Sequence, residues 1–195
     1  GRRRGRSALA GRRRAPAARR RAILSAIPRI VTERLILRVP CAEDWPVLEP
    51  IWTTDRARHI GGPMEAEDGW LDFNQMVASW LLRGFGPFTI TLRETGEVIG
   101  MASLDHEWGD PAPEMGWLLI EAAEGRGYAT EAARALSDWA VAELGADNVE
   151  IYLDREHDKS ARVARAIGAV ETGGHPLDPD RVAVYRLPPD MGAMT

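Results

Sequence analysis

EMGWLLIEAAEGRGYATEAARALSDWAVAEL, residues Glu114–Leu144, decides how the rest of the chain is read. Met115 to Glu121 reads as a strand. From Arg126 onward the apolar residues Ala129, Ala132, Ala133, Leu136, Trp139, Ala140 and Leu144 recur at spacings of three and four, one stripe of an amphipathic helix, and Gly145 follows as a stop. Gly125, Arg126 and Gly127 lie where one period gives way to the other. A helix N-terminus offers backbone N–H groups without intrahelical partners and the positive end of the macrodipole. Glycines there let a bulky anion approach the main chain. The turn therefore reads as a diphosphate seat. Its glycines are too close together for the dinucleotide fingerprint, and no Gly-Lys-Ser/Thr follows as in a Walker loop.

Outward from this stretch, the chain reads as one mixed α/β domain. Ile30–Val39 alternates as a strand, and Pro40 ends it. Ala42–Trp52 and Asp68–Leu82 read as helices, the second with Leu71, Met76, Val77, Trp80 and Leu81 at roughly helical spacing. Phe88–Leu92 and Val98–Leu104 read as strands joined by a hairpin through Glu94–Glu97. After the 114–144 unit come a strand with Val149, Ile151 and Leu153 alternating, a short helix Ser160–Ile167, a weak strand near Ala169–Thr172 and a firmer one at Arg181–Leu187.

The 195 residues are 45% hydrophobic and 28% charged, enough apolar content for one sizeable core. No apolar run approaches the ~20 residues of a membrane span, so no membrane association is expected. The single cysteine, Cys41, rules out a disulfide within the chain and fits a reducing, cytoplasmic setting. No His/Cys spacing suggests a metal. Charge is divided sharply. Residues 1–29 hold eleven arginines and no acid, whereas the remainder holds 14 basic and 29 acidic side chains, a net −15. An acidic domain favours amines over anionic polymers. Nucleic acid is expected to find a site only on the Arg-rich segment. That segment reads as a disordered or non-native tail, as an RNA-binding arm, or as a transit peptide.

Gly125-Arg-Gly-Tyr-Ala-Thr-Glu-Ala132 resembles the acetyl-CoA motif of the GNAT superfamily of N-acetyltransferases, in its RimJ/RimL-like form. Further segments agree in order: Thr32-Glu-Arg-Leu-Ile-Leu-Arg38, Trp80 through Gly84-Phe-Gly-Pro87, Thr95-Gly-Glu-Val-Ile-Gly100, Glu114-Met-Gly-Trp117 and Ser160-Ala-Arg-Val-Ala-Arg-Ala-Ile-Gly168. The resemblance covers about residues 30–187. It implies a GNAT domain at 30–188 between tails at 1–29 and 189–195. The fold it implies has a mostly antiparallel sheet of about seven strands, a parallel and splayed central pair, and about four helices.

It also implies acetyl-CoA as co-substrate, no metal, and direct attack by an amine, either a protein N-terminus or a small molecule. A homodimer is compatible with it. The cofactor-binding residues carried over are Gly125, Arg126, Gly127, Tyr128, Ala129 and Thr130 at the turn. Trp117, Leu118 and Leu119 form the strand edge beside the pantetheine arm, and His157 and Ser160 stand before the last helix. Ser160 is in addition the proton donor to the departing thiolate.

Two positions depart from the family pattern. Glu124 stands where Gln or Arg is usual, and His157 stands where Asn is usual. Glu124 is not counted as a ligand, because a carboxylate beside a diphosphate is unfavourable. Removing a proton from the amine calls for a base. Glu114 at the head of the strand is the first candidate, with Asp105 and His106 next. By analogy Trp52, Trp80, Phe85 and Phe88 form the acceptor wall, with His106 also on the substrate side, while His59 reads as a solvated loop residue. Two readings of another class stand beside the enzyme: a non-catalytic acyl-CoA-binding module, and an RNA- or ribosome-associated protein acting through its basic arm.

Overall fold

The computed structural model describes residues 27–145 and 148–188, so the Arg-rich segment up to residue 26 and the C-terminal tail lie outside the described residues. Eight strands form one sheet: β1 (Ile30–Val31), β2 (Leu35–Arg38), β3 (Phe88–Leu92), β4 (Val98–Asp105), β5 (Glu114–Leu119), β6 (Glu150–Asp154), β7 (Val170–His175) and β8 (Asp178–Arg186). Their order across the sheet is β1-β2-β3-β4-β5-β6-β8-β7. Every neighbouring pair is antiparallel except β5 and β6. That parallel pair shares a single register position, Glu114 opposite Glu150, and then splays.

The strand expected over Ile30–Val39 is two strands. Thr32 N–H bonds back to Leu35 O at 3.0 Å, and Ile30 then pairs with Leu37. The helix expected over Ala42–Trp52 is a 3-10 turn (Ala42–Asp44) followed by two one-turn helices, α1 (Trp45–Leu48) and α2 (Pro50–Thr53). Pro46 and Pro50 each open a helix, where the missing N–H does no harm, but neither tolerates a continuous helix running through it. The long helix α3 runs Ala66–Leu82. Its inward face includes Gly69, Phe73 and Trp80, whereas Leu71 and Leu81, two of the residues at helical spacing, are 60% and 72% exposed.

Helix α4 (Tyr128–Leu144) buries Ala132, Ala133, Leu136 and Ala140 against the sheet, and Gly145 closes it in the left-handed conformation with bonds to Ala140 O and Val141 O. Helix α5 is Asp158–Ala166. Alternate residues of β4 divide between two cores. Ala102 and Leu104 join the α4 cluster, and Met101 joins Leu48, Ile51, Trp52 and Phe73.

Gly100 on β4 sets the spacing to β5. A Cβ there would lie 2.2 Å from Leu118 O and 2.8 Å from a Leu119 methyl. Gly100→Ala is therefore expected to destabilise the protein by about 1–3 kcal/mol through overpacking. That lowers Tm by about 2–4 °C per kcal/mol in thermal unfolding. An unchanged Tm would mean that the two strands separate there at no cost.

Candidate active site

The turn between β5 and α4 is built for exposed amides. Gly125 and Gly127 have φ of +74° and +79°, conformations that a side chain strains. Glu131 N–H makes the first intrahelical bond, to Gly127 O at 3.0 Å. This leaves the N–H groups of Tyr128, Ala129 and Thr130 without intrahelical partners. Arg34, between β1 and β2, braces the turn from below. Its Nη1 donates to Arg126 O at 2.9 Å, its Nε donates to Glu131 at 2.6 Å, and its guanidinium lies 4.7 Å from the Tyr128 ring centre. Glu131 also accepts from Thr32 Oγ1 at 2.6 Å and from Arg34 N–H at 2.9 Å. Despite its burial, those donors and the Arg34 charge hold its carboxyl below the usual range. The first-turn acid is thus committed to the β1–β2 connection and does not cap its own helix. The Arg126 side chain is exposed beside the turn.

Glu124 is accounted for by its neighbours. Its carboxylate receives Arg56 Nη2 on one oxygen and Lys159 Nζ at 2.7 Å on the other. Burial works against ionisation here, but these two cations keep the group below its ordinary pKa. The acid points into a bridge that joins the 3-10 turn Asp55–His59 to α5.

The open edge of β5 is shown by the hydrogen-bond alternation of an antiparallel ladder. Ile120 N–H bonds to Ile99 O, so Leu118 and Gly116 turn their main-chain groups toward β4. Trp117 and Leu119 turn theirs toward the gap. Consistent with this, Arg56 Nη2 reaches Leu119 O at 2.7 Å from the gap side, and Glu150 N–H reaches Pro113 O at 2.9 Å. Of the three strand-edge residues expected to meet a pantetheine arm, Leu118 has its amide spent on β4.

Glu114 sits where β5 and β6 are still paired, opposite Asp105 on one side and Glu150 on the other. Burial, then the charges of Asp110, Glu107, Asp105 and Glu150, push its carboxyl up to about 8. Glu150 is buried too, yet it is pulled the other way, because Tyr152 Oη and Arg186 both donate to its carboxylate. The pKa values of two carboxyl groups in register are thus pushed apart, Glu150 downward and Glu114 upward. Asp105 Oδ1 is occupied by Ser79 Oγ and His106 N–H, each at 2.8 Å. His106 lies at the same strand end, its Nε2 3.0 Å from Asp110 O.

Trp80 and Phe88 belong to the core. Phe88 is fully buried, and Trp80 donates its indole N–H to Pro87 O at 2.7 Å while packing edge-on against Phe88. Phe85 packs half-buried against the same cluster. The aromatic wall proposed for an acceptor is thus largely internal, and its packing explains these rings. Cys41 is at the far side of the sheet, with burial pushing its thiol up, which makes it a poor nucleophile.

At the start of α5, Ser160 is buried and its Oγ lies 3.0 Å from His157 Nδ1. Above them stands His59, which is not a solvated loop residue. Its side chain is 13% exposed, its ring stacks on that of His157, and its Nδ1 lies 3.1 Å from Asp154 Oδ2. Arg56 escaped the sequence reading and His59 was read only as a loop residue, because a five-residue 3-10 turn leaves no periodic pattern. Glu150 and Tyr152 had a signal, since they alternate with Val149, Ile151 and Leu153. Among the described residues there is no grouping of His, Cys, Asp and Glu suited to a metal. No helix among them is long and apolar enough to cross a membrane.

Residues 34–170 match the family model for the acetyltransferase (GNAT) domain. A curated relative, the uncharacterized N-acetyltransferase p20 of Bacillus licheniformis, is 29% identical over 150 residues, covering 74% of this chain and 83% of its own. The crystal structure of an acetyltransferase from Agrobacterium tumefaciens str. C58 superposes with a TM-score of 0.77 at 39% identity, over 82% of this chain and 94% of that one. RimL, the ribosomal L7/L12 alpha-N-protein acetyltransferase in complex with coenzyme A, shares the fold at 20% identity and a TM-score of 0.67, over 83% and 99% of the two chains. With its sheet splayed between β5 and β6, a glycine turn opening α4 and a family match over most of its length, the chain belongs to the GNAT family of acetyl-CoA-dependent acyltransferases.

Proposed function

We propose that the protein transfers the acetyl group of acetyl-CoA to a primary amine by direct attack, in the manner of the RimJ/RimL-like branch and in the cytoplasm. The observation that carries this reading is Glu114: a half-buried carboxyl pushed up to about 8 at the closed end of the β5–β6 gap, beside Glu150, whose carboxyl is held below its ordinary range. A base poised near neutral pH suits an amine that arrives protonated.

The amides of residues 128–130, with Arg126 beside them, are suited to the diphosphate, and the gap-facing edge at Trp117, up to the Arg56 bond on Leu119 O, to the pantetheine arm. Glu114 takes the proton from the amine, directly or through water, and nitrogen attacks the thioester carbon. A main-chain N–H on the β5 edge stabilises the oxyanion. The C–S bond then breaks with its electron pair on sulfur. Ser160 gives that sulfur its proton, and solvent water restores the hydroxyl.

The carboxylates around Glu114 (Asp105, Glu107, Asp110 and Glu150) favour a cationic acceptor, either a protein N-terminus or a small amine. The test is thermal shift with acetyl-CoA, followed by CoA-thiol release against a panel of N-terminal peptides and small amines. The expected result is stabilisation by acetyl-CoA and release with at least one amine class. Stabilisation without release against any amine would favour a non-catalytic acyl-CoA-binding module. No stabilisation by acetyl-CoA or CoA would overturn the proposal.

A further inference from the structure

Four side chains from three parts of the chain form one run beside α5. Asp154, at the end of β6, has Oδ2 3.1 Å from His59 Nδ1. The His59 ring lies flat on that of His157, with centroids 4.3 Å apart and planes 10° from parallel. His157, the residue before α5, has Nδ1 3.0 Å from Ser160 Oγ. The run is anchored at its far end, since the other Asp154 oxygen accepts from Glu156 N–H at 2.9 Å.

The side chain of Asp154 is 6% exposed and that of His59 13%, so solvent does little to loosen the run. The ring torsion of a histidine is broad and two-fold when nothing holds it. A flat stack on one face removes that freedom and leaves Nδ1 directed at the serine. The charged groups facing His157 are Asp154 from β6, Lys159 from α5 and Arg58 from the 3-10 turn, and Arg181 from β8 approaches Asp154 at 3.4 Å. Burial, then His59, Lys159 and Arg58, outweigh Asp154 and hold His157 below its ordinary pKa, which favours the neutral ring.

We propose that His59 is a positioning residue for acyl transfer: anchored by Asp154 and stacked on His157, it fixes the His157 ring so that Nδ1–H donates to Ser160 Oγ, which leaves the serine's own proton to go to the departing sulfur. This rests on the role given to Ser160 above. In this chain the histidine replacing the family's asparagine is useful because a second ring, delivered by a distant turn, lies on it.

A double-mutant cycle tests the proposal. His59→Ala is expected to lower kcat about tenfold, with KM for acetyl-CoA changed less than twofold. His59→Phe keeps a flat ring and is expected to recover part of the loss, which also guards against a misfolded alanine variant. In a Ser160→Ala background, His59→Ala is expected to change kcat less than twofold, because the hydroxyl that His59 positions through His157 is gone. An equal loss in both backgrounds, or no loss in the parent background, would overturn the inference. If Ser160→Ala is slow while His59→Ala is not, the inference alone falls and the acetyltransferase reading stands. If Ser160→Ala leaves kcat intact, the role of Ser160 falls and takes the inference with it.

Discussion

Glu114→Gln is expected to lower kcat by about 10²–10⁴-fold, the range for loss of a positioned general base, while acetyl-CoA binding is retained. The pH dependence makes the prediction specific. A base must be ionised to act, so in the parent protein the rate should rise with pH through a limb centred near 8, the value to which burial and neighbouring carboxylates push this group. In the variant that limb should vanish.

Stability should move the opposite way. The folded-state pKa is raised, so the folded protein keeps a proton that the unfolded chain has already released once the pH passes 4.5. Over the window from about 4.5 to 8 the group therefore costs stability, at about 1.4 kcal/mol per pH unit as an upper bound, and the cost is complete above 8. Glu114→Gln should match the parent in thermal unfolding at pH 4 and exceed it at pH 8. A variant that is both inactive and less stable at pH 8 would make Glu114 a structural carboxylate.

Gly127→Val is expected to weaken acetyl-CoA binding by at least about 100-fold, since a β-branched side chain would stand among the amides that open α4. Folding will also suffer, because φ is +79° at this position and valine is strained there whatever the space around it, at about 1–3 kcal/mol. Gly145→Val supplies the control. It sits at the other end of the same helix with φ +60° and open space around its Cβ, so it should carry a similar backbone cost without touching cofactor binding. Titration of both variants with acetyl-CoA separates the two effects. Equal affinity loss at residues 127 and 145 would reduce the glycine turn to an ordinary helix start.

Much of this was legible in sequence, because the elements that form the fold are periodic. The strand–turn–helix at 114–144 and the hairpin at Glu94–Glu97 stand where alternation and glycine place them. What sequence did not give is the side of a strand that each amide faces. Leu118 looks like its neighbours in sequence, yet the ladder with β4 removes its N–H from the gap. Nor could spacing show that the aromatic residues Trp80 and Phe88 fill the core, since a ring suits a pocket wall and a core equally well. The two departures from the family pattern were legible as departures only. Their explanation lies in Arg56 and His59, two residues of one short turn that reach opposite rims of the gap.

That turn has a consequence for how the chain meets other chains. A strand whose amides and carbonyls face an opening is a template for any other extended chain, and this hazard is usually discussed for the outer rims of sheets. Here the template lies in the middle of the sheet, along Trp117 and Leu119. The Arg56 guanidinium occupies Leu119 O and is itself fixed to Glu124, so a charged side chain stands where a foreign strand would begin to pair. The same arginine that bridges the site is thus placed to block such pairing, and Arg56→Ala is expected to form more aggregate during expression than the parent.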